Sequence, residues 1–144
     1  MGASGDGGAV RIPLSDGFFD LREVMGAVGN LTGLRWILRD AWFNGDVRPV
    51  WPEGHEHAEG GSEEPGGLPL TWAQMAFLAE SCQQVIDGRF TGYDEHGRPS
   101  VQLQAIDSSY WVVWARNLEV LAAVTSTFPT AEDYDEPTPE TLSS

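Results

Sequence analysis

The chain has 144 residues, 41% of them hydrophobic, with six Trp, six Phe and three Tyr, which is enough apolar material for one domain with a real core. Its formal net charge is −14, and all eight basic residues are Arg. The absence of Lys excludes Schiff-base chemistry and a P-loop lysine, and the acidity makes binding to a phosphate backbone unfavourable.

The charge is unevenly placed. Residues 52–67 hold Glu53, Glu56, Glu59, Glu63 and Glu64, the end of the chain holds Glu132, Asp133, Asp135, Glu136 and Glu140, and Asp6 lies near the start. Setting these eleven acids aside leaves eleven acids against eight Arg, a body of net charge −3. The expected organisation is a flexible leader at 1–8, a single domain at 9–130 with an acidic Gly/Pro-rich loop at 52–69, and a disordered acidic tail at 131–144. No apolar run is long enough to predict a membrane span, and the amino terminus shows no basic region followed by an apolar one, so no secretory signal is expected. The single Cys82 has no partner for an internal disulfide, which fits a reducing, cytoplasmic setting.

In chain order, "AVRIPLS" (9–15) reads as a short strand, with Pro13 favouring an edge position. In "DGFFDLREVMGAVGN", Leu21, Val24, Met25 and Val28 recur at helical spacing. "LRWILRDAWFNGDVRPVW" reads as a hairpin: Leu34, Trp36 and Leu38 alternate with Arg35, Ile37 and Arg39, Asn44-Gly45 suits a type I′ turn, and the return strand would span 46–51. After the acidic loop, Thr71 and Gln74 form a capping box, opening a helix that Gly88 would close, with Met75, Leu78, Ala79, Cys82 and Val85 on its buried face. "RFTGY", "SVQLQAI" and "YWVVWA" then suggest a three-stranded meander, and Asn117 caps a last helix. The order β-α-β-β-α-β-β-β-α predicts an α+β fold, with a mostly antiparallel sheet of about six strands and two to three helices on one face.

Candidate chemistry is sparse. In an extended loop His55 and His57 would point the same way, the weak beginning of a metal site, although no ligand spacing completes it. "GDGG" precedes a strand, where a dinucleotide loop would follow one. Ser109, His96 and Asp107 admit a triad on paper, but Ser and Asp are also ordinary turn residues. Cys82, on a predicted apolar face, reads as packing. No catalytic residue and no cofactor are assigned.

The aromatic residues carry more. Trp42, Trp51, Trp111 and Trp114 fall on predicted strands, so they are either core or a binding face. In size, acidity and Trp content the chain resembles small inhibitor-type proteins that neutralise basic partners, though no motif carries the likeness. The expected function is a non-catalytic interaction module using an aromatic sheet face, its partner another protein, a basic one by charge, or a second copy of itself. The rival is a small-molecule-binding or enzymatic domain, with Arg35, Arg39 or Arg116 contacting an anion and Tyr110 or Trp111 forming a wall.

Overall fold

The computed structural model describes residues 7–14 and 19–142. Most of the expected leader, residues 15–18 and the last two residues lie outside them. The elements are β1 (Gly8–Pro13), α1 (Leu21–Val28), β2 (Arg35–Gly45), α2 (His55–Glu63), β3 (Leu68–Leu70), α3 (Trp72–Ser81), β4 (Cys82–Tyr93), β5 (Pro99–Ile106), β6 (Tyr110–Ala115), α4 (Leu118–Thr127) and β7 (Glu132–Tyr134). They form an α+β fold with one seven-stranded sheet in the order β3-β2-β4-β5-β6-β1-β7, every pairing antiparallel. The described chain thus has seven strands and four helices, where about six and two to three were expected.

Local chemistry explains the helices. α1 starts at Asp20, whose backbone N–H donates to the Glu23 carboxylate at 2.8 Å, and it buries Leu21, Val24, Met25, Ala27 and Val28. The α3 capping box forms: Thr71 Oγ1 accepts from Gln74 N at 3.0 Å, and Gln74 Oε1 from Thr71 N at 2.8 Å. Asn117 caps α4 by accepting from Glu119 N at 2.9 Å.

Three sequence expectations give way. α3 ends at Ser81, and Cys82 and Val85 belong to a strand, because residues 82–93 pair with β2 and, from Gly88 onward, with β5 as well. The 34–51 hairpin does not form. Gly45 has φ 111°, and a Cβ there would meet Gln83 N at 2.2 Å, so β2 runs against β4 up to this residue and then leaves the sheet. The Asp46 carboxylate then accepts from Arg48 N at 3.0 Å, setting a turn that folds Trp51 back onto Phe43, ring centroids 5.9 Å apart. Finally, β1 is not an edge: β6 flanks it on one side and β7 covers Ala9–Arg11 on the other, leaving Pro13 beyond β7.

The segment expected as a loop at 52–69 carries α2 and β3. α2 has little apolar periodicity and two central glycines, so tertiary bonds must hold it. His55, Glu59 and Ser62 share one helical face and meet alternate residues of β2. Ser62 Oγ accepts from Ala41 N at 2.9 Å, Glu59 Oε2 accepts from Phe43 N at 3.1 Å, and His55 Nε2 bonds the Gly45 carbonyl. Side chains of a helix thereby satisfy backbone groups that another strand would otherwise pair.

Helices α1, α3 and α4 cover one face of the sheet. Ile12, Trp36, Leu38, Phe90, Leu103 and Val113 meet Leu21, Val24, Met75, Leu78 and Val124 there, all fully buried. Full burial of each such side chain stabilises by roughly 1.5–3 kcal/mol. The opposite face carries the alternate residues of the same strands.

Candidate anion-binding face

Alternation places Arg35, Ile37 and Arg39 of β2, Arg89, Thr91 and Tyr93 of β4, and Gln102 of β5 on the face away from α1, α3 and α4. With residues 139–142 and Pro65-Gly66 they enclose a cavity of about 600 Å³. Its floor is polar and closed: Thr91 and Gln102, cross-strand partners and both buried, share a 2.9 Å hydrogen bond from Oγ1 to Oε1.

Its walls are basic. Arg39 and Arg89 sit directly opposite each other across β2 and β4. Like charges in that position oppose strand pairing. Two contacts moderate the repulsion. Arg89 Nη2 lies 2.6 Å from Asp40 Oδ2, and Arg39 Nη1 donates to Tyr93 Oη at 2.9 Å with its guanidinium 5.8 Å from the Tyr93 ring centroid. The Asp40 contact depends on a bulge. Asp40 and Ala41 together oppose Gly88, Asp40 takes φ 54°, and the ladder resumes at Trp42–Asp87. The Arg35 guanidinium makes no hydrogen bond or ion pair among the described residues. Further along the same face, Arg11 Nη1 lies 3.3 Å from Glu132 Oε1 and its guanidinium stands 4.6 Å from the Tyr110 ring centroid.

The residues singled out from sequence are dispersed. Arg35 and Arg39 line the cavity. Arg116 is pinned by donating from Nε and Nη2 to Pro99 O at 3.1 and 2.9 Å, 5.7 Å from the Trp114 ring centroid. Tyr110 lies against Tyr134, centroids 6.3 Å apart. Trp111 is core on the helix-covered side. Trp114 is buried on the other side with Ala9 and Val112, Tyr134 packing over them. Trp51 is buried, whereas Trp42 is 57% exposed, turned outward beyond the bulge. The three indoles Trp42, Trp51 and Trp114 therefore form no shared surface. Sequence reasoning missed Arg89, Thr91, Tyr93 and Gln102. The signal was the alternation of "RFTGY", in which Arg89, Thr91 and Tyr93 point away from Phe90.

The other candidates come apart. His55 and His57 lie on a helix, not an extended loop, so a two-residue offset sends them to different sides. His55 faces Gly45 and Glu59, and His57 faces Glu53 at 4.0 Å. The Gly45 carbonyl, with Glu59 adding to it, raises the His55 pKa. Among the described residues no three His, Cys, Asp or Glu side chains are placed to hold a metal ion. Ser109 follows β5 and its Oγ donates to Asp107 O, while His96 precedes β5, so eight residues of strand separate the two. Burial pushes the Cys82 thiol up to about 11, where it donates to Gln84 O and Asn44 O. A thiol held protonated is a poor nucleophile.

Compared with known protein families, characterised proteins and solved structures, the chain finds no match.

Proposed function

We propose that the protein is a non-catalytic binding module that takes an anionic ligand on the arginine-lined face of its sheet. The observation that carries this reading is the convergence of Arg35, Arg39 and Arg89 on one cavity in a chain of net charge −14. Two of these face each other across adjacent strands, an arrangement that costs stability and that a bound carboxylate or phosphate would relieve. Each guanidinium presents five donors in a rigid fork, and charge-assisted bonds to an anion contribute about 1.5–3 kcal/mol apiece. The buried Thr91–Gln102 pair gives the site a fixed floor, which favours recognition over loose counter-ion condensation. An aromatic docking face has less support, since Trp42 alone of the candidate indoles is exposed. A basic partner also has less support, because one acidic segment is folded against β2 and the other lies along the arginine face.

Calorimetric titration with inorganic phosphate and with succinate tests the reading. The wild-type chain should bind at least one of them, more weakly as salt rises, and Arg39→Met/Arg89→Met should weaken binding tenfold or more. Failure of the wild type to bind either at millimolar concentration would remove the proposal.

A further inference from the structure

The arginine face is already crossed by part of the same chain. β7 pairs with Ala9–Arg11, and residues 135–142 then travel to the turn between β4 and β5, where Leu142 N donates to Gly97 O at 2.9 Å. Crossing from β7 to β4 covers four strand spacings, about 19 Å. Eight residues reach about 27 Å when fully extended. The segment therefore runs across the strands in an open conformation.

Acids meet the bases of the face in sequence. In β7 Glu132 pairs with Arg11, and in the segment itself Glu136 is partly buried within the field of Arg89 and Glu140 lines the cavity that holds Arg35 and Arg39. Yet the segment is lightly held. Among the described residues the Leu142–Gly97 bond is the one hydrogen bond from 135–142 to the body, and no ion pair joins these residues to an arginine. Beneath it the cavity stays open, and the Arg35 guanidinium that lines it has no hydrogen-bond partner among the described residues. The chain thus supplies a charge-matched occupant that fills the track without satisfying it.

Resting on the anion-binding reading, we propose that this face receives an extended acidic segment of a partner polypeptide, and that residues 135–142 hold the same track in cis until the partner displaces them. A polypeptide fits better than a small anion because the bases are strung across the sheet from Arg11 to Arg35, farther than one dianion reaches. Charge complementarity selects the class of occupant, and the resident segment shows the path.

A segment tethered beside its own site acts at an effective concentration of about a millimolar, so it competes with any partner of comparable intrinsic affinity. The test uses the full chain and a fluorescent peptide with the sequence of residues 131–142, its binding followed by anisotropy. Glu136→Gln/Glu140→Gln, which weakens the resident segment, should bind the peptide about tenfold more tightly than wild type. Adding Arg39→Met/Arg89→Met to that variant should erase the gain, and a peptide with its acids changed to amides should not bind. Equal affinity in wild type and the weakened variant, or a gain that survives loss of the arginines, would overturn the proposal. Phosphate bound through Arg39 without peptide binding would sink this inference and leave the anion site standing. If neither ligand binds, both fall.

Discussion

Changing Asp20 to Asn should flatten the dependence of stability on pH between about 4 and 6. Asp20 is only 8% exposed, and its carboxylate accepts from Val85 N at 3.2 and 3.0 Å, tying the start of α1 to β4. Burial pushes its pKa up to about 6 from 3.8, against the pull of the Leu21 and Val85 amides. Over that interval the folded chain binds more protons than the unfolded one, so stability falls as pH rises. The contribution is complete below about pH 4 and is lost by the time pH has risen through about 6, an effect of up to about 3 kcal/mol for a two-unit shift. Asn cannot titrate. Its buried amide N–H groups will lower stability by a constant amount, about 1–3 kcal/mol if unpaired, so the slope is the test and the level is not. Urea unfolding of both proteins at about pH 4 and about pH 7 reads it directly. Other titrating groups, Glu136 and His55 among them, occur in both proteins and cancel in the difference. The wild-type advantage should shrink by up to about 3 kcal/mol between the two conditions. Parallel profiles would refute the reasoning, since Asp20 would then titrate alike in folded and unfolded chains.

Two further substitutions separate surface from core. Trp42→Ala should change stability by less than about 0.5 kcal/mol and Trp114→Ala should cost roughly 3–5 kcal/mol in chemical denaturation; similar costs would contradict their opposite exposures. Ser62→Ala leaves the Ala41 N–H without its partner and should cost about 1–3 kcal/mol, with faster amide exchange at Ala41; an unchanged exchange rate would mean that α2 does not hold β2.

Elements whose signal is local were readable from the sequence. The Thr71–Gln74 box and the Asn117 cap depend on neighbours within four residues, and each appears as expected. What escaped depends on distant partners. α2 turns a polar face of His55, Glu59 and Ser62 toward β2, so hydrophobic periodicity has nothing to detect. β7 has a disordered composition and becomes a strand because β1 offers it a ladder. Asn44-Gly45 did bring positive φ at Gly45, but the approach to Gln83 spent it on leaving the sheet, while Asp107 and Ser108 make a tight turn at φ 48° and 57° without glycine. The candidate face was half visible for the same reason. Arg35 and Arg39 lie on one recognisable strand, whereas Arg89 joins them only through the β2–β4 register, which no local pattern specifies.

The helix laid along β2 has a consequence for how this protein meets copies of itself. An open sheet has two margins, and an unpaired margin is a template on which another chain can add a strand. Here one margin is β3, three residues long with Pro69 at its centre, and the other is β7, three residues long with two acids. Neither can support a long intermolecular ladder. The stretch of β2 beyond β3 would have been the vulnerable one, residues 39–45 with Trp42 and Phe43 among them, and α2 places its His, Glu and Ser side chains there. With Ala41 N, Phe43 N and the Gly45 carbonyl taken by α2, this stretch offers another chain few free backbone groups on which to add a strand.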